Sequence, residues 1–258
     1  MGATREDLMA EKSNRWNVAQ EYEAGYWKKR AEAIQAGSAT DLGFYEWRAG
    51  QLIQRLSGIG YGHLTDGGAD IMEIGSGPVG LASHFPAAKR LLIDPLASTY
   101  SASRVLVHQR NPEALYCEGT GETLPTKDNA FDLVIIENCI DHVRDIDAVM
   151  TEVIRVVKPT GLVYLTVNNR SMLGYWVHRF LSRAKIDPGH PHTFTPRRFR
   201  KFLEKHGLAI QDWEVSSYWK ATVDDLRSSS WKDRLKGLLG VSEYVAYAIG
   251  HIVHGDSV

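Results

Sequence analysis

Asp70-Ile-Met-Glu-Ile-Gly-Ser-Gly-Pro-Val-Gly80 is the stretch on which the fold turns. The run Ala69 to Ile74 is apolar apart from its acids, as a parallel strand buried on both faces should be. It breaks into glycines at 75 and 77, which let the backbone bend sharply and let a ligand approach with no β-carbon in the way. The next apolar run, Leu91 to Ile93, ends at Asp94 and Pro95. That acid falls about 20 residues beyond the turn, where a doubly wound sheet places a carboxylate against ribose hydroxyls. Strand, glycine turn and second acid together predict a nucleotide-like cofactor at the carboxyl end of a parallel sheet.

Outward from this stretch, strand and helix signals alternate. Ala97 to Gln109 has helical spacing, Ala114 to Cys117 reads as a strand, and Phe131 to Ile136 is another buried strand. Asp145 is placed to cap a helix whose apolar residues run Ile146, Val149, Met150, Val153, Ile154 and Val157, with Pro159 and Gly161 as its stop. A fifth strand follows over Leu162 to Val167. Thr195 and Pro196 open a helix that buries Phe199, Phe202 and Leu203 and ends at Gly207. Late strands over Leu208 to Val215 and Glu243 to Val253 complete the sheet, with a helical insertion at about 218–240. The expected fold is α/β: a Rossmann-like, mostly parallel seven-stranded sheet with helices on both faces. Residues 1–68, with helical spacing in two or three segments before a loop of five glycines, form an N-terminal helical lid or extension to a domain spanning 69–258.

The glycine pattern departs from a dinucleotide fingerprint. A pyrophosphate site reads G-x-G-x-x-G, whereas here Pro78 and Val79 alter that spacing and Glu73 stands two residues before the first glycine. A carboxylate there repels pyrophosphate and suits a ligand tail carrying an ammonium group, such as the methionine part of S-adenosylmethionine. At this point the chain resembles the class I methyltransferases, in the branch that includes quinone-biosynthesis, natural-product and sugar methyltransferases. Gly119-Thr-Gly-Glu-Thr-Leu-Pro125, Asn129-Ala-Phe-Asp-Leu-Val134, Asn138-Cys-Ile-Asp-His-Val-Arg-Asp145 and Arg155-Val-Val-Lys-Pro-Thr-Gly161 follow in the family's order. The resemblance covers roughly residues 69–217.

What the resemblance implies is S-adenosyl-L-methionine as cofactor, held by Glu73, Ile74, Gly75, Ser76, Gly77, Asp94, Pro95, Thr120, Gly121, Glu122, Asn138 and Cys139. Thr120 stands where the family commonly has an acid facing the adenine amino group. Methyl transfer to a small-molecule or sugar-type acceptor is expected, with oxygen favoured, against a non-catalytic cofactor-binding sensor or partner subunit as the alternative. A nicotinamide oxidoreductase is disfavoured by the glycine spacing. Candidate proton acceptors are His142, His190 and His192; for His142 a structural or cofactor-side role is the stronger reading. His190 and His192 lack a third ligand at sensible spacing, so no metal is expected.

A formal charge of −1 over 258 residues, with 43% hydrophobic and 24% charged residues, offers no general attraction to nucleic acid. Against that neutral background, Arg170 to His206 is locally basic, and one or two of these side chains are candidates to grip a phosphate or carboxylate on the acceptor. No stretch is long and apolar enough to span a bilayer, the N-terminus lacks the apolar core of a secretory signal, and the two cysteines read as reduced thiols, so a cytoplasmic protein is expected. All seven tryptophans lie outside 69–167, read chiefly as large side chains buried by helices added to the sheet, with an aromatic-walled substrate cleft as the alternative.

Overall fold

The computed structural model describes residues 5–183 and 191–253, with side chains over 14–180 and 191–253. Its centre is a seven-stranded sheet in the order β3-β2-β1-β4-β5-β7-β6. The strands are β1 (Asp70–Ile74), β2 (Lys89–Asp94), β3 (Leu115–Glu118), β4 (Phe131–Ile136), β5 (Val157–Arg170), β6 (Leu208–Val215) and β7 (Glu243–Ile252). The first five run parallel; β7 is antiparallel to both its neighbours, β5 and β6. Strand order reverses between β1 and β4, and that switch point is where an open α/β sheet leaves a crevice at its carboxyl ends.

Two hydrophobic layers cover the sheet. On one face Met72, Ile74, Val134 and Val163 pack with α5 (Ile146–Val156) and α7 (Pro196–Lys205), which bury Val149, Met150, Val153, Phe199 and Leu203. On the other, Ile71, Leu92, Leu133 and Ile135 pack with Leu52 and Leu56 of α2 (Phe44–Gly58) and with Trp27 and Ala31 of α1 (Arg5–Gln35). The amino-terminal helices therefore share a core with the sheet. Arg55 of α2 also reaches Asp212 at 2.8 Å and pairs with Glu214, tying that helix to the far edge strand.

Several local expectations are corrected. The segment 97–109 forms two short helices, α3 (Ala97–Ser101) and α4 (Arg104–Val107). Helix α5 ends at Val156, and Val157, which fits its apolar spacing, instead pairs with Phe131. Pairing then skips to Leu133 opposite Leu162, so Pro159 and Gly161 sit in an irregularity of β5, which tolerates the missing proline N–H. Helix α6 (Met172–Arg183) was not anticipated. The insertion is a helical pair, α8 (Tyr218–Arg227) and α9 (Trp231–Leu239). Nor are the tryptophans mostly buried: Trp27 is, but Trp47, Trp176, Trp219 and Trp231 are exposed. Within the described residues no helix is long and apolar enough to cross a membrane.

Candidate functional site

Three glycines of the first turn hold left-handed backbone, Gly75 at φ 70°, Gly77 at 61° and Gly80 at 78°. The turn is tied to β2 by Gly75 N–H donating to Ile93 O at 2.7 Å. A β-carbon on Gly75 would collide with Cys139 Sγ, and one on Gly77 would meet Tyr45 Oη at 2.5 Å. Bare backbone is thus required at both positions of the turn.

Asp94 spans the turn from the end of β2. Its Oδ2 accepts from Gly77 N–H and its Oδ1 from Leu96 N–H, each at 2.8 Å. Two carboxylate lone pairs remain for a diol. Burial pushes this carboxyl up to about 6, against the downward pull of the two backbone bonds. Glu73 has a structural partner as well: Oε2 accepts from Ala82 N–H at 2.7 Å, holding the short 3₁₀ turn Ala82–His84. Burial raises Glu73 to about 8. It still lines the crevice, where a cation would stabilise its ionised form.

The crevice is a cavity of about 210 Å³ adjoining a smaller one of about 40 Å³; both are lined by Gln20, Gly75, Pro95, Cys139 and His142. Glu73, Ser76, Gly77, Asp94 and Asn138 line the larger, and Ile74, Thr120, Gly121 and Glu122 the smaller. Each of the twelve residues expected at the cofactor lines one or both of these two cavities. Glu122 has a second task, because its Oε1 accepts from Arg144 N–H at 2.8 Å and Asp145 N–H at 3.3 Å, fixing the entry to α5.

The sequence reading missed what the added helices bring. Glu23 and Trp27 of α1 and Tyr45 and Arg48 of α2 also line the larger cavity. Helices α8 and α9 contribute no lining residue to it among the described residues. Most consequential is Glu137, the first residue past β4. Arg48 Nη1 donates to its Oε1 at 2.7 Å and Thr166 Oγ1 to its Oε2 at 2.9 Å. Burial raises the Glu137 carboxyl above its ordinary value, while Arg48 pulls it down. Next to it Asn138 adopts φ 47°, a strained value for a non-glycine residue, and its N–H donates to Thr166 Oγ1 at 2.9 Å. The one signal available in the sequence was position, since ligands meet an open α/β sheet at its strand ends.

The histidines divide. His142 lines both cavities, with Nε2 3.9 Å from Asp141 Oδ2, too far for a hydrogen bond. His192 lies beyond the 138–143 segment: its N–H donates to Asp141 O at 3.2 Å and its Nε2 is 2.9 Å from Val143 O. It lines a separate, larger cavity. His190 falls outside the described residues. Among the described residues no cluster of three or more His, Cys, Asp or Glu is placed to hold a metal ion.

The reversal of strand order at a glycine turn, the acid closing the second strand and the antiparallel β7 give this chain the fold of the class I methyltransferases. Comparison with known proteins agrees: residues 72–165 match the family described as methyltransferase domain. Among curated relatives, the ubiquinone biosynthesis O-methyltransferase of Bartonella tribocorum is 22% identical over 128 residues, covering 46% of this chain and 51% of the relative. That of Brucella anthropi is 26% identical over 155 residues, 56% of this chain and 62% of the relative. The chain thus matches between half and two thirds of the length of these two relatives. Of the solved structures, one described as a sarcosine dimethylglycine methyltransferase from Galdieria sulphuraria superposes with a TM-score of 0.57 at 15% identity, covering 79% of this chain and 84% of that one, a likeness of fold.

Proposed function

We propose that this chain is an enzyme that transfers a methyl group to a hydroxyl of a small-molecule acceptor, phenolic or sugar-type and carrying an anionic group. The observation that carries the reading is a single cavity lined both by the glycine turn and Asp94 and by the Glu137–Arg48 ion pair. Bound S-adenosylmethionine supplies an electrophilic methyl group. Asp94 would hold the ribose hydroxyls, Glu73 would face the ammonium-bearing tail, and Gly121 with Glu122 would border the base in the smaller cavity. That the relatives are named O-methyltransferases supports oxygen as the acceptor atom.

The chain's own residues have two tasks. Trp27, Tyr45 and Tyr100 wall the cavity with large side chains that exclude water, and orientation within such a site can supply about 7 to 11 kcal/mol of a barrier. Glu137 is the acceptor of the hydroxyl proton. Raised by burial, it is a stronger base than an ordinary carboxylate, and hydrogen bonds from Arg48, Thr166 and Tyr164 leave it one of its four lone pairs. His142 is assigned to the cofactor side, and His192 to positioning of the 141–143 backbone. An ion pair lining the same cavity as the glycine turn favours an enzyme over a sensor. The amino-terminal segment 1–68 is assigned as a cover for the site. Two free thiols, Cys117 and Cys139, support a place in the reducing cytoplasm.

Calorimetric titration of the full chain with S-adenosylmethionine and S-adenosylhomocysteine tests this. Micromolar binding is expected, weakened at least about tenfold in Asp94→Ala, since a charged acceptor of ribose hydroxyls is worth about 1.5–3 kcal/mol. No binding by the folded wild type refutes the proposal.

A further inference from the structure

A cavity of about 860 Å³, larger than the one lined by the glycine turn, lies apart from it. The segment Pro191–Thr195, α7, α6, the first turn of α5 and Arg15 of α1 line it. Six cationic side chains line it, Arg15, Arg179, Arg197, Arg198, Lys201 and Lys205, and no carboxylate does among the described residues.

Helix periodicity produces this arrangement. Residues 199 and 203 of α7 are buried in the core, so 197, 198, 201 and 205 fall on the opposite stripe. Arg198 is held across the Tyr175 ring, 4.5 Å from its centroid, which fixes the direction of its guanidinium. Lys205 is paired with Asp147 at 2.8 Å, outside the cavity lining. Arg179, Arg197 and Lys201 make no ion pair among the described residues. A basic helix face on a neutral protein is ordinarily just solvated. Here that face is folded into a concavity and met by arginines from two other helices, which concentrates positive potential where an anion can be enclosed.

The cavity also stands in a definite relation to the candidate active site. The wall between them is the 138–146 segment: Asn138, Cys139 and His142 face the cofactor cavities, while Ile146 and the attached His192 face the basic one. Helix α1 spans both, with Arg15 at the basic cavity and Gln20 at the cofactor cavities. Five residues of helix amount to about 7.5 Å, so along the helix axis Arg15 stands about that far from a residue that lines both cofactor cavities.

We propose that this cavity binds a phosphate or pyrophosphate group carried by the acceptor. The assignment to the acceptor rests on the methyltransferase reading; the anion site itself does not. Arginine forks match phosphate oxygens bidentately, and the volume suits a nucleotide- or sugar-sized molecule.

The test uses the full chain and the triple variant Arg179→Gln, Arg197→Gln, Lys201→Gln, three exposed side chains whose loss leaves the core intact. Inorganic pyrophosphate should bind the wild type in a salt-dependent way and bind the variant at least about tenfold more weakly, with affinity for S-adenosylhomocysteine unchanged. Equal pyrophosphate binding in both proteins, or none in the wild type, overturns the site; retained S-adenosylhomocysteine binding in that case leaves the methyltransferase reading standing. With 4-hydroxyphenyl phosphate and hydroquinone as paired acceptors, a KM raised in the variant for the phosphorylated one alone supports the acceptor assignment. Pyrophosphate binding lost in the variant with both KM values unchanged overturns that assignment in favour of a free regulatory anion. Loss of pyrophosphate binding in the variant, in a wild type that binds no S-adenosylhomocysteine, overturns the assignment too.

Discussion

A carboxyl buried beside an arginine, as Glu137 is beside Arg48, has its charge governed by two opposed effects, and here desolvation is the larger. If Glu137 accepts the proton, turnover rises with pH as that raised group ionises. Glu137→Gln should lower kcat by about 10² to 10⁴ and abolish the acidic limb of the kcat profile, leaving affinity for S-adenosylhomocysteine within about twofold. A profile unchanged in the variant would return the role to His142. Glu73 gives a stability prediction. Its folded value is raised from 4.5 to about 8, so its contribution to stability is full below about 4.5 and is lost as pH climbs toward 8, at no more than about 1.4 kcal/mol per pH unit. Melting of the ligand-free wild type should therefore fall relative to Glu73→Gln between pH 5 and 8, and saturating S-adenosylhomocysteine, whose ammonium favours the ionised carboxylate, should shrink that difference. Equal pH slopes in the two proteins would show that Glu73 is already ionised in the fold. Glu73, Gly75, Gly77 and Asp94 were legible in the sequence because their relation is local: one turn and the ends of two adjacent strands. Arg48 and Glu137 are 89 residues apart, and nothing in either one's neighbours announces the other.

Elements were readable where burial and periodicity agree. The strands β1 and β4, apolar on both faces, and α7, with cap, proline and glycine stop in order, match their expected bounds closely because each signal reports a physical boundary. At Val157 the signals conflict, since the residue fits a helical stripe and a buried strand equally well, and only pairing with Phe131 decides. Helix α6 carries Leu173, Trp176 and Phe180 at helical spacing, yet all three remain exposed, so this apolar stripe does not report a buried face. The cap of α5 is a case where the local signal suffices. Asp145 Oδ1 accepts from Asp147 N–H at 3.0 Å and from Ala148 N–H at 3.1 Å. Asp145→Ala should cost about 1 kcal/mol, a loss of about 2–4 °C in Tm. The same segment carries Asn138, Cys139 and His142 into the cofactor cavities, so S-adenosylhomocysteine affinity should fall as well. A Tm change without any change in affinity would show that the 138–145 segment holds its shape independently of the helix it enters.

At the scale of the whole molecule, the two amino-terminal helices are attached very differently. Helix α2 buries Tyr45, Ala49, Leu52 and Leu56 within 15 residues. Over the part of α1 whose side chains are described, only Ala19, Trp27 and Ala31 are buried, and Trp27 does so as a wall of the cofactor cavity. Few buried apolar contacts mean a low free energy of local opening. Helix α1 is thus positioned to open without unfolding the sheet and to close on a bound ligand through Gln20, Glu23 and Trp27, with the indole N–H donating to Glu23 Oε1 at 2.9 Å. Hydrogen exchange separates the two helices. At S-adenosylhomocysteine concentrations about 100 times Kd, a ligand that binds only the closed form stabilises it by about 2.7 kcal/mol, slowing exchange of amides 16–31 by about 100-fold. Amides 44–58 of α2, which open with the core, should change much less where their exchange already reports global unfolding of the ligand-free protein. Protection confined to the glycine turn, with none gained along α1, would mean that ligand enters without the helix opening, and that the cover over the site is fixed.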